Sequence, residues 1–303
     1  MKNVSKPLPQ MTDRLLLGKS GLKVSPICIG MTKDPQVITA AFERGVNFFF
    51  LSADLHWPHY SATRHGLISL LTKNPSARDS IVLAVVSYSP SGFCASAFVD
   101  LVLSYPILKR FDVLVAGGTR SNDFKVRCAD LSQCVKQNLW RARAVATTVH
   151  DRKAVPRCLS DGDADWVLFR YNPLHPGGEV DVLPFVPCSE SKLLFTFKSV
   201  TGVPSAEDYV AAQIGDDYWR PRPQDAYRFA LSQPAIQGVL CSPGSPSEVV
   251  ELEAALSEPP LTPEERTSMK VLAKSICGLA RRRSLLRNSP RGNGYQAQNP
   301  DSL

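Results

Sequence analysis

A chain of 303 residues with 44% hydrophobic and 21% charged side chains has the composition of an ordinary globular protein, large enough to bury a core without disulfide or metal staples. No apolar run approaches a membrane span, and the opening MKNVSKPLPQMTDR has no apolar core of signal-peptide length, which argues against membrane insertion and secretion and for a cytoplasmic location. The net charge of +7 is unevenly placed: after Ala280, five Arg (281, 282, 283, 287, 291) face only Asp301, five minus one or +4, leaving +3 elsewhere, and a basic end without interleaved aromatics reads as a solvated tail rather than a nucleic-acid site.

Eight cysteines occur, at 28, 94, 128, 134, 158, 188, 241 and 277. None forms C-x-x-C and none has metal-site spacing with His, so they read as reduced packing residues.

In chain order, Leu15–Lys23 is a turn-rich opening and Val24–Gly30 a short apolar strand. Asp34-Pro35 then starts a helix that Gly45 stops, with Asp at the cap and Pro in the first turn. Val46–Phe50 is a strand and Ser61–Leu71 a helix. Ser80–Val86 is uninterruptedly apolar from Ile81 on, as expected for a strand buried on both faces. Further strands are expected at Asp112–Ala116, Ala144–Thr148, Trp166–Tyr171, Leu193–Phe197 and Ile236–Cys241. Helices are expected near Ala95–Ser104, Asp130–Gln137, Ser205–Ala212, Pro223–Leu231 and Ser247–Leu256. Eight strands alternating with helices predict a (β/α)8 TIM barrel. Thr262 and Glu265 form a capping box for a last helix to about Leu279. The expected domains are a tail over 1–13, the barrel over 14–280, and a basic, disordered tail over 281–303.

The stretch Gly45–Leu67, GVNFFFLSADLHWPHYSATRHGL, resembles the signature strand and loop of the aldo-keto reductases. LGKSGLKVSPICIG resembles that family's first hairpin and strand, AFERGVNFF its first helix and second strand, ARDSIVLAVV its catalytic-Lys strand and FDVLVAGG its catalytic-His strand. RARAVATTVH and ADWVLFRYNP resemble the strands that hold the nicotinamide amide, and the segment from AYRFALSQ to VVELEAAL the closing part that binds cofactor phosphates. The resemblance runs from about Arg14 to Leu279 and implies an aldo-keto reductase-like barrel that uses NADPH.

Residue by residue, the chemistry that the resemblance implies is missing. The position of the family's catalytic Asp falls on Leu51 or Phe50, that of its Tyr on His56, its Lys on Val86 and its His on Gly117. A Val and a Leu can neither lower a phenol pKa nor hold a Lys. The family's Ser-Asn pair falls on Thr148-Val149 and the Gln that follows on Leu168. An Arg for a 2′-phosphate falls on Pro246, and the Asn of a Glu-Asn pair on Leu252. Residues left for a cofactor are Thr148, Glu251, and the Ser242–Ser245 turn with Gly244, whose amides could cradle a phosphate. No cofactor is expected, with NADPH remaining possible through an eroded site, and no metal site is expected.

Four of the five His map to loops at the C-terminal ends of strands, where such barrels keep their active sites. His56 and His59 follow the second strand, His150 the fifth and His175 the sixth; His65 lies on a helix surface. His56 titrates near neutrality in place of a proton donor, Asp54 could orient it, and His150 or His175 could be a second acid or base. The blander alternative is a loop plug, with Trp57 and Pro58 filling the mouth; Trp219, in DDYWRPRP, could cover it as a lid. Three functions stay open. One is a repurposed enzyme with non-hydride acid–base chemistry on a small molecule. Another is a pseudoenzyme that serves a protein partner. The third is a divergent NAD(P)H oxidoreductase with His56 as proton donor.

Overall fold

The computed structural model describes residues 7–89, 94–161, 163–186, 192–215 and 217–287, without the side chains of 94–95 and 277–287. A small antiparallel hairpin, β1 (Leu15–Leu17) and β2 (Leu22–Val24), precedes eight barrel strands. These are β3 (Ile27–Ile29), β4 (Phe48–Ser52), β5 (Val82–Ser87), β6 (Val113–Thr119), β7 (Ala144–Val149), β8 (Trp166–Arg170), β9 (Leu193–Phe197) and β10 (Gly238–Cys241). They close in parallel as β10-β3-β4-β5-β6-β7-β8-β9. Each of the eight expected apolar runs carries one barrel strand, because a parallel strand covered on both faces has no solvent side to make polar.

Alternation along each strand divides the core. Phe48 and Phe50 of β4 meet Trp166 of β8 at ring distances of 4.6 and 6.1 Å, and Phe195 of β9 stands 5.3 Å from Trp166. These rings fill the barrel. Gly238, in register with Phe195, is required beside them: a Cβ there would fall 2.3 Å from Phe195 Cζ. Phe49 and Leu51 lie on the other face of β4 and are fully buried. The two positions open for the family's Asp are thereby distinguished: Phe50 turns inward and Leu51 does not.

Two elements run beyond the expected bounds. Leu8 and Met11 are buried in the core, and the Gln10 amide donates to the Leu256 carbonyl at 2.8 Å, so part of the expected N-terminal tail packs on the barrel. The last helix spans Pro263–Arg287. Its capping box forms as expected, Thr262 N–H to Glu265 at 2.7 Å and Glu265 N–H to Thr262 at 3.2 Å. The remainder of the C-terminal tail lies outside the described residues, as do Cys188 and the side chains of Cys94 and Cys277. Cys28, Cys128, Cys134, Cys158 and Cys241 are buried thiols. Among the described residues no helix is long and apolar enough to cross a membrane.

Candidate functional site at the barrel mouth

A cavity of about 450 Å³ opens at the C-terminal ends of the strands. Its walls come from residues in the middle or C-terminal half of a strand or just past its end: Met31 after β3, Phe50 in the middle of β4, Tyr88 after β5, Thr148 in β7, Lys198 after β9 and Ser242 after β10.

His56, His59 and Tyr60 reach the cavity from one tight turn. Trp57–Tyr60 form a 3₁₀ turn with Pro58 in its first positions, and His59 N–H donates to the His56 carbonyl at 3.1 Å. Residues three apart eclipse in that geometry, so His56 and His59 stand side by side, ring centroids 6.3 Å apart. Tyr60 points down instead, buried, 6.3 Å from the Phe50 ring. Trp57 is not a plug. Its ring lies under the Arg64 guanidinium at 3.5 Å and beside Tyr105 at 5.5 Å, outside the cavity, and the Arg64 guanidinium donates to the Trp57 carbonyl. Trp219 does not line the cavity either.

Asp54 lies near enough to His56 for its charge to act on it, but its hydrogen bonds go elsewhere. Its carboxylate accepts from Leu55 N–H and Ser87 Oγ at 2.6 Å each, Tyr88 N–H at 2.9 Å and Ser89 Oγ at 3.1 Å. Burial opposes its ionisation, but these donors outweigh it and hold the carboxyl below its ordinary pKa. Asp54 thus ties the β4 loop to the end of β5 and makes no hydrogen bond to His56 among the described contacts. What it positions is Tyr88, whose ring meets His56 edge to face at 4.8 Å.

The His56 pKa is lowered by burial first and by His59 and Lys198, against the opposing pull of Asp54. Burial pushes the Tyr60 phenol far up, and pushes Tyr88 up to about 12 with help from the Asp54 charge. At neutral pH the site therefore offers an unprotonated imidazole beside two protonated phenols. His150 lines the same cavity, its ring 5.5 Å from Phe197, and its pKa is lowered by burial and by Lys198, Arg170, Arg120 and His56. His175 is not brought in. Its Nδ1 and backbone N–H both meet Asn172 Oδ1, at 3.0 and 2.8 Å, in a tight turn outside the cavity lining. His65 is exposed on its helix.

Of the residues expected to hold a cofactor, Thr148 and Ser242 line the cavity. The Thr148 oxygen accepts from Gly118 N–H at 2.7 Å, which leaves its hydroxyl proton to donate. Gly244 and Glu251 have partners within the chain. Gly244 N–H donates to the Glu248 carboxylate at 2.9 Å, and Glu251 accepts from the Gln224 amide. A groove of about 310 Å³ runs past Ser242 between Val200, Tyr227 and Leu252, and among the described residues Glu248 is the only charged side chain that lines it. Among the described residues no group of three or more His, Cys, Asp or Glu is placed to hold a metal ion.

Sequence reading missed Tyr88 and Lys198. Both stand just past an apolar strand run, and that position alone was the available signal.

Neither a family model nor a curated protein matches the chain. Solved structures do. An aldo-keto reductase from Bacillus halodurans in its holo form superposes with a TM-score of 0.65 at 17% identity, over 87% of this chain and 97% of that one. A Pseudomonas aeruginosa protein assigned to the aldo-keto reductases superposes with a TM-score of 0.58 at 18% identity, over 82% and 97%. At such identity the likeness carries the fold: this is an aldo-keto reductase-like (β/α)8 barrel.

Proposed function

We propose that the chain is a repurposed barrel enzyme that moves protons without a hydride, with His56 as general base and Tyr60 or Tyr88 as hydrogen-bond donor to the substrate oxygen. One observation carries this reading: an open cavity in which a His of lowered pKa stands among two phenols kept protonated. A base is useful when it is unprotonated at working pH, and a donor when it holds its proton there. The natural reaction class is proton abstraction next to a carbonyl, with the phenols stabilising the oxygen as charge develops.

NADPH suits the donor set poorly. A dinucleotide's phosphates need amides and cations, yet the Gly244 amide is held by Glu248 and the adjacent groove presents a carboxylate. Glu251 is engaged by Gln224. Position 117 has no side chain, and Val86 has no charge with which to activate a phenol. No step is therefore assigned to the cofactor.

The test is deuterium exchange. The protein is incubated in D₂O with a panel of ketones, keto acids and 1,3-dicarbonyls, and loss of α-proton signals is followed by NMR. Wild-type protein accelerates exchange in at least one compound, and His56→Phe removes the acceleration. Equal rates for both proteins would end the assignment of His56.

One observation favours a second reading, a barrel kept for a protein partner. Val99 and Leu103 lie four apart on the helix Cys94–Ser104 and are 40% and 74% exposed, and Val126 on the next helix, Phe124–Lys136, is 55% exposed. An exposed apolar pair one helical turn apart, as Val99 and Leu103 are, is typical of interaction surfaces.

A further inference from the structure

Positive charge gathers at and around the rim of the cavity, and no carboxylate among the described residues pairs with it. Lys198 lines the cavity and is exposed, one residue past β9. Its φ of +56° lies in the left-handed region that side chains other than Gly seldom adopt. The backbone is fixed there: the Lys198 carbonyl accepts from Asn172 Nδ2 at 2.8 Å, and Ser199 beside it is buried. Among the described residues its ammonium pairs with no carboxylate.

Arg170 ends β8 on the face that carries Trp166, the inward face, and is only half-buried. Arg120 follows β6. Both side chains also lack a carboxylate partner among the described residues. All three cations lie close enough to His150 to lower its pKa, and Lys198 acts on His56 as well. Asp54, the acid whose charge acts on His56, already accepts from two hydroxyls and three backbone amides. The same cavity is also lined by apolar side chains: Met31, Phe50 and Leu240, with Phe197 packed on His150.

A pocket that combines cations with apolar walls sorts ligands by charge, because a low-dielectric wall focuses the field of the rim. Resting on the catalytic reading above, we infer that the cavity takes a small ligand with one oxyanion, a carboxylate or a phosphate ester, on an apolar body. The anion sits by Lys198, His150 and Arg170, and the body lies against Met31, Phe50 and Leu240, which brings the ligand's reactive carbon beside His56.

Calorimetry on the full chain with phenylacetate, phenyl phosphate and the neutral isostere phenylacetamide tests this. At least one anion binds about tenfold or more tightly than the amide, and the difference shrinks between about 0.05 and 0.3 M salt. Which of the two anions wins separates a carboxylate ligand from a phosphate ester. Lys198→Met and Arg170→Met each remove most of the preference while the unfolding temperature holds. Lys198→Gly is the second control: it deletes the charge at a left-handed position where Gly is at ease. Equal binding of all three compounds, no binding of any at about 10 mM, or a preference that survives these variants would overturn the inference. Charge-selective binding without His56-dependent exchange upholds it and removes the catalytic reading. Exchange on a neutral ligand without charge preference overturns it and leaves that reading standing.

Discussion

The Tyr88 ring fills the space that a side chain at residue 117 would need: a Cβ on Gly117 falls 2.8 Å from Tyr88 Cδ1 and Cε1, and 2.6 Å from Val86 Cγ2. Neither neighbour is free to withdraw. Val86 is fully buried, and Tyr88 is anchored by its N–H on Asp54. Gly117→Ala is therefore expected to destabilise the barrel by about 1–3 kcal/mol, the usual cost of overpacking, and Gly117→His by more. Urea denaturation reads this directly. A Gly117→Ala midpoint equal to wild type would show that the ring gives way freely.

The barrel is legible in the sequence because its strands are long apolar runs, and a strand buried on both faces cannot be written otherwise. Trp166–Tyr171 and Leu193–Phe197 announce themselves by composition alone, and each lies over its strand with at most one residue to spare. The site is legible only in part. His56, His59, His150, Thr148 and Ser242 follow from their place at strand ends, and the cavity gathers all five. Partner choice is not legible. Asp54 has His56 two residues away in sequence yet bonds to Ser87 and Tyr88 across the sheet, and Gly244 finds Glu248 one helical turn on. Such contests between acceptors are settled by tertiary geometry, which leaves no periodic trace. Lys198 is invisible for a related reason: its left-handed backbone normally calls for Gly, and here the sequence has none.

Glu248 holds the position where a phosphate would meet the Gly244 amide, at the start of the helix Pro246–Leu256. A carboxylate there is favoured by the helix dipole. Calorimetry is expected to register no NADPH or NADH binding at about 1 mM. Glu248→Ala frees the amide and lowers stability by about 0.3–1 kcal/mol, the usual worth of a charge in a first turn. Micromolar binding to wild-type protein would restore the nicotinamide reading and displace the one proposed.

Arg78 and Asp112 form a buried ion pair at 2.8 Å, each 1% exposed, away from the mouth. Arg78 also donates to the carbonyls of Ile81, Leu108 and Arg110, while Asp112 accepts from Leu83 N–H and Arg110 Nε. Removing Arg78 leaves three carbonyls without this donor and Asp112 with Arg110 as its one remaining cation, so Arg78→Met is expected to cost about 3–5 kcal/mol. Asp112→Asn keeps the shape and loses the charge, and is expected to cost less. Denaturant midpoints of the two variants check the order. Equal, small losses would mean that water reaches the pair.

His56, His150 and His175 all have folded-state pKa values lowered, burial being the first cause in each. Unfolded, each titrates near about 6.5. Between their folded values and that point the unfolded chain binds more protons, so stability falls as pH drops through this window and levels off below it. Asp54 acts in the same direction further down: its lowered pKa contributes stability above about 3.8 that is lost as pH falls through the folded value. The expected result is a urea midpoint that declines from pH 7.5 to about 5.5, with a shallower decline in His150→Phe, the His with Lys198, Arg170 and Arg120 acting on it. Exchange activity should fall over the same interval, because protonated His56 cannot accept a proton. A midpoint unchanged across the interval, in wild type and variant alike, would mean that these imidazoles titrate as freely as in the unfolded chain, and His56 would lose the property that suits it to act as a base.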